Sequence, residues 1–186
     1  MSELVARTGR HQQRYKDGCR LVAGCIPFKY CDGNGTSDND VEVLMINSPS
    51  GRGLLFPKGG WENDETVEEA AKRESLEEAG VRGDLVHFFG DYIFKSKTLQ
   101  DEFSPEGLCK AAMFALLVTE ELESWPEQSI RQRSWLTISK AKECCMYPWM
   151  RVALEEGFSK WHADQILSNS KEENHLILPD STPDQI

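Results

Sequence analysis

Long apolar runs are missing from this sequence. No stretch approaches the roughly 20 residues that span a bilayer, and the opening MSELVARTGRHQQRYKDG lacks the apolar core of a secretory signal. The expectation is an intracellular protein with no membrane partner, cytoplasmic or also nuclear. Positive charge is also short: 21 Lys and Arg against 31 Asp and Glu leave a net charge of −10. That balance argues against a nucleic-acid coat, whose domains are basic. An anionic substrate stays open wherever a metal and a local basic patch handle the charge. No C-x-x-C pair among Cys19, Cys25, Cys31, Cys109, Cys144 and Cys145 suggests zinc, and in a reducing compartment all six read as free thiols. His11, His87, His162 and His175 are too scattered for a metal triad.

What is present describes one globular domain with tails. A chain of 186 residues with 39% apolar content buries enough surface to need no staples. Residues 1–17 form a basic arm, with Arg7, Arg10, Arg14 and Lys16 against Glu3 and Asp17. It reads as a solvated tail, with a mitochondrial presequence as the alternative. Residues 18–167 carry the domain, and 168–186, polar and proline-containing, are expected to be disordered. Apolar, β-branched runs at 20–30, 41–47, 84–95, 111–118 and 132–138 predict strands. Thr66 and Glu69 have the spacing of a capping box and Gly80 suits a left-handed helix end, so a helix is predicted over 67–79. A second helix is predicted over 148–167, opening at Pro148. The segment 95–109 reads as a polar loop.

Eight acids crowd between Glu62 and Glu78, against two bases, Lys72 and Arg73. On a helix, Glu74, Glu77 and Glu78 share one face and repel. A hard divalent cation reverses that cost, since Mg²⁺ takes one or two carboxylates together with waters and substrate phosphates. Taken alone, an E-x-x-E-E run is more often a solvated acidic face than a metal site.

The surroundings decide between these readings. GGWENDETVEEAAKRESLEEAGV matches the Nudix box: Gly59, Glu65, Arg73, Glu74, Glu77, Glu78, Gly80 and Val81 are in register. Ser75 departs from it, standing where an aliphatic residue is usual, at an expected small cost in packing. The sequence thus resembles a Nudix hydrolase, which implies an α/β/α sandwich with a mixed β-sheet between helices. It also implies cleavage of a phosphoanhydride by water with Mg²⁺, Mn²⁺ being a possible substitute. By that resemblance Glu74 and Glu78 ligate metal, Glu77 is the general base or a further ligand, and Arg73 orients a carboxylate. Phosphoanhydride cleavage independently requires neutralised phosphate charge, an oriented water and a proton acceptor.

Flanking blocks (DGCRLVAGCIPFK, FPKGGWENDE and FALLVTEELESWPEQSIRQRSWLTISKA) resemble the diphosphoinositol polyphosphate phosphohydrolases, over about residues 17–160. The implied substrate is a small, highly phosphorylated molecule met by a monomer. Its binding residues are then Arg20, Ser50, Arg52, Lys58, Gly59, Gly60, Lys95, Lys97, Arg131 and Arg133, with Lys110 a further cation nearby. Diadenosine polyphosphates rank second, with Trp61, Phe94 or Phe103 as stacking candidates. An inactive polyphosphate-binding module and an RNA-binding protein rank lower.

Overall fold

The computed structural model describes residues 4–31, 40–96, 98 and 100–175, without the side chains of 173–175. Lys97 and residues 176–186 lie outside the described residues. The strands are β1 (Tyr15–Lys16), β2 (Cys19–Tyr30), β3 (Val41–Asn47), β4 (Leu54–Leu55), β5 (Lys58–Gly60), β6 (Val81–Lys95), β7 (Leu108–Glu121) and β8 (Arg133–Thr137). The helices are α1 (Val67–Ala79), α2 (Ile138–Cys144), α3 (Pro148–Val152) and α4 (Lys160–His175), with a π-helical segment, Ala153–Ser159, joining the last two.

β2 is the centre of one mixed sheet ordered β4-β3-β2-β7-β6, with β1 and β5 also on β2 and β8 on β3. It runs parallel to β7 and antiparallel to β1, β3 and β5. Every residue from Val22 to Phe28 is buried, as a strand covered on both faces requires. Alternation along β2 assigns the two layers. The Cys25 thiol meets the Ala71 carbonyl of α1, whereas Phe28 points to the opposite face, where its ring is 5.2 Å from Phe158 in the π-helical segment. The α/β/α sandwich is therefore observed directly, one helix on each side of the sheet.

Three differences from the sequence reading have physical causes. The last helix continues to His175, so 168–175 are helical and not a disordered tail. Residues 138–144 form a helix, α2, that the sequence reading did not assign; it begins at Ile138, the last residue of the predicted strand, because Thr137 caps it by accepting from the Lys140 N–H. The arm is not a free tail either: from Leu4 onward it is described, Gln13 is buried, and Arg14 donates from Nε and Nη2 to the carbonyls of Glu62, Asn63 and Glu65.

Candidate active site

The site is built around α1. Its start is held by the reciprocal box of Thr66 and Glu69. At its end Gly80 adopts φ 63°, and a Cβ there would stand 2.6 Å from the Trp125 ring. The last carbonyls of a helix need partners, and here the 122–133 segment provides them. The Glu127 N–H donates to Glu77 O, Trp125 Nε1 to Glu78 O, and Arg133 Nη1 to the carbonyls of Ala79 and Gly80. Ser75 is fully buried, its hydroxyl donating to Ala71 O at 3.0 Å, so the departure from an aliphatic residue leaves no unpaired group.

Glu74, Glu77 and Glu78 face one pocket of about 310 Å³, whose walls include Arg20, Gly59, Gly60, Arg73 and Glu127. Arg73 organises it. Its guanidinium donates to Glu65 (2.7 and 2.9 Å), Glu74 (2.9 Å), Glu77 (3.3 Å) and the Gly60 carbonyl (2.8 Å). Glu69, one turn away, is instead committed to the cap. Gly59 is required by close approach: a Cβ would stand 2.2 Å from the Glu74 carboxylate.

Burial, then the neighbouring Glu78 charge, pushes the Glu74 carboxyl above the ordinary range; burial does the same to Glu78, against Lys58 and Arg131. Glu77 is raised by burial too, and the backbone N–H of Arg7 and the charge of Arg73 oppose it. Buried carboxylates crowded in this way favour protons or a cation. Among the described residues no three His, Cys, Asp or Glu side chains already stand as a coordination shell. The donor set nonetheless fits a hard cation: only carboxylate oxygens, each destabilised by burial and Glu74 also by the Glu78 charge, and a glycine wall that admits close approach. Glu74 and Glu78 would hold the ion, with Glu77 beside them.

The basic residues separate into those at the pocket and those elsewhere. Arg20 lines it, and its buried Nε has no hydrogen-bond partner among the described residues. Lys58 donates its N–H to Glu78 Oε2 and carries its ammonium 5.5 Å from the Phe94 ring centre. Arg131 reaches Glu78 at 3.6 Å while donating to Asn47 O. Arg133 is placed elsewhere: its guanidinium donates to the carbonyls of Ala79, Gly80 and Leu122 and lies 4.2 Å over Trp125, so it clamps α1 and does not line the pocket. Ser50 and Arg52 are exposed in the β3–β4 loop and Lys95 is exposed at the end of β6; none of the three lines the pocket. Glu127 is the carboxylate that sequence reading missed, half-buried on the pocket wall with Arg131 at 3.9 Å.

The stacking candidates also separate. Trp61 is bound by its own loop, Nε1 donating to Glu65 O under the Arg14 guanidinium, and Phe94 is stacked on Trp149 at 4.8 Å. Phe103 alone of the three is exposed, at 59%.

Comparison with known proteins agrees with this geometry. The model of the NUDIX domain matches residues 33–157. Nudix hydrolase 16, mitochondrial, of Arabidopsis thaliana is 65% identical over 175 residues, covering 92% of this chain and 97% of its own. Nudix hydrolase 12, mitochondrial, of the same plant is 48% identical over 183 residues, covering 94% and 90%. Among solved structures, a C. elegans Ap4A hydrolase superposes with a TM-score of 0.54 at 20% identity, over 77% of this chain and 98% of that one. A NUDIX hydrolase from Nitrosomonas europaea gives 0.56 at 16% identity, over 78% and 90%. At such identities the two structures speak for the fold. Box, fold and close relatives coincide, and the chain belongs to the Nudix hydrolase family.

Proposed function

We propose that this Nudix hydrolase cleaves phosphoanhydride bonds of diphosphoinositol polyphosphates. The observation that carries the reading is a second cavity of about 720 Å³, separated from the carboxylate pocket by Gln13, which lines both. Arg10, Arg14, Lys16 and Lys110 line it, against Asp91 as the single acid. Arg14 is spent on carbonyls, but among the described residues Arg10 is held only by Asp101 at 3.6 Å and Lys110 only by Asp91 at 3.6 Å. Exposed pairs of this kind are worth about 0–1 kcal/mol, so a polyanion can take them over. A ring carrying many phosphates spans both cavities, its scissile phosphate toward the carboxylates and the others toward these cations.

In this reading the residues divide the work. Bound Mg²⁺ supplies charge neutralisation for the phosphates and lowers the pKa of water. Glu77, raised by burial, accepts the proton of the attacking water; Arg73 holds Glu77 and Glu74 in register; Arg20, Lys58 and Arg131 gather phosphate oxygens, the arginines through forked donors. The exposed Phe103, tilted against Tyr15 at 5.2 Å on the rim of the larger cavity, favours diadenosine polyphosphates as the second reading. The names of the close relatives, together with the basic arm, move the compartment from cytoplasm toward mitochondrion, which a carboxy-terminal fluorescent fusion checks.

Phosphate release from inositol pyrophosphates and diadenosine polyphosphates, with Mg²⁺ and with chelator, tests the substrate. The expected result is Mg²⁺-dependent preference for the inositol compounds, lowered about 10²–10⁴-fold in Glu77→Gln, the usual scale of a general base. Preference for the dinucleotides would transfer the substrate to the second reading, and a fully active Glu77→Gln would remove the base.

A further inference from the structure

The arm is folded onto the carboxylates. Residues 6–9 form part of the wall of the same 310 Å³ pocket as Glu74, Glu77 and Glu78. The Arg7 backbone N–H donates to Glu77 Oε1 at 3.2 Å. Its guanidinium pairs with Glu62 and, at 2.9 and 3.2 Å, with Asp64. Behind this tip the chain is fixed: Asn63 N–H donates to Gln12 O at 2.7 Å and Arg14 N–H to Trp61 O at 2.9 Å. Between tip and anchor stands Gly9 at φ 88°, a conformation few other residues adopt.

The two ends are held with very different strength. The anchor is tied by backbone bonds and by a partly buried Arg14, whereas the tip depends on one hydrogen bond and on ion pairs of a 40% exposed Arg7, one to the 53% exposed Asp64 and one to the more sheltered Glu62. Such a segment opens locally at small cost while its base stays in place. Glu77 Oε1 accepts from the Arg7 N–H and Oε2 from Arg73 at 3.3 Å, and residues 6–9 wall the same pocket, so a cation that comes to Glu77 competes with the arm for the lone pairs of Oε1 and for the space beside it.

We propose that residues 4–9 are an autoinhibitory strap that closes over the carboxylate pocket and holds Glu77, the carboxylate beside the metal-holding Glu74 and Glu78, away from an incoming divalent cation and its water, so that metal loading and strap opening are coupled. Resting on the metal-dependent reading of the site, it adds that the arm sets how much metal is needed. Any mutation loosening the tip then tightens metal binding, by linkage.

Asp64→Asn is the discriminating variant in the full chain. It deletes a negative charge near the pocket, which by electrostatics alone weakens cation binding; by leaving Arg7 only Glu62 of its two carboxylate partners it loosens the tip and tightens binding. Arg7→Pro, which removes both the N–H and the guanidinium, is the second variant. Titration calorimetry of the metal-free protein with MgCl₂ is expected to show about 3–10-fold tighter binding in both, the size of one hydrogen bond plus an exposed pair. Hydrogen exchange of amides 4–9 in the wild type is expected to speed up when MgCl₂ is added. Unchanged or weaker binding in Asp64→Asn, or amides 4–9 that stay protected in saturating MgCl₂, would overturn the strap and leave the metal site standing. Absence of Mg²⁺ binding in wild type and variants alike would remove the metal site and the strap with it.

Discussion

At the scale of single residues, Arg73 and Glu65 show how a carboxylate-rich site stays folded. Arg73 is nearly buried and serves three carboxylates and one carbonyl, a task that needs the fixed fork of guanidinium. Burial pushes the Glu65 carboxyl up, but hydrogen bonds from Arg73 and the Glu62 N–H pull it below the ordinary range. A depressed carboxyl contributes stability above its unfolded pKa and loses it as pH falls through the folded one. Replacing Glu65 with Gln should therefore destabilise the protein by roughly 1–3 kcal/mol at neutral pH. Urea denaturation from pH 7 to pH 3 should show wild type and variant converging below about pH 4, near the ordinary glutamate range. Parallel curves over that range would mean that Arg73 holds Glu65 by shape and not by charge.

At the scale of elements, the decisive contact is between α1 and the 122–133 segment, which answers the helix's last carbonyls in order. Arg133 is its strongest part, with three carbonyls and the Trp125 face. Arg133→Met should cost about 2–4 kcal/mol, since several buried acceptors lose a charged donor together. If the cleft is assembled by this clamp, KM should change less than kcat; circular dichroism melting and steady-state kinetics measure the two effects. An unchanged melting temperature would show that Trp125 and the Glu127 N–H suffice. The same elements show what the sequence makes legible. The bounds of α1 are readable because Thr66, Glu69 and Gly80 are local signals, and β3 is readable because it is a short apolar run. The two- and three-residue strands β4 and β5 are too short to carry a period, and α2 is hidden by its length. Arg131 and Arg133 look alike in the sequence, yet one faces Glu78 and the other the helix end. Glu127 and Arg7 reach the pocket only through the packing of a loop and an arm, which no spacing encodes.

At the scale of the whole molecule, the carboxylate pocket is a stability liability that a bound cation would remove. Glu74 is held above the ordinary carboxyl range by burial and by the Glu78 charge, and Glu78 by burial with a smaller push from Glu127, against Lys58 and Arg131. Groups with raised folded pKa values favour the folded state below the unfolded pKa, and that contribution is lost as pH rises through the raised one. The metal-free protein should therefore weaken between about pH 4.5 and neutrality, the interval that opens above the ordinary glutamate value. Mg²⁺ binding only the folded state restores stability by mass action, about 2.7 kcal/mol at a hundredfold excess over Kd. For a chain of this size that is a rise of roughly 5–10 °C. Glu74→Gln keeps an acceptor for Arg73 but no charge to bury. It is expected to melt higher than wild type without metal at pH 7.5, to show a flatter dependence on pH, and to lose most of the rise with MgCl₂. Thermal melts of both proteins from pH 5 to 8, with and without MgCl₂, decide the matter. A Glu74→Gln protein that melts lower than wild type at every pH would show that Glu74 is held by Arg73 more strongly than it is repelled by Glu78, and the stability of the metal-free fold would then owe more to the arginine hub than it loses to the crowded carboxylates.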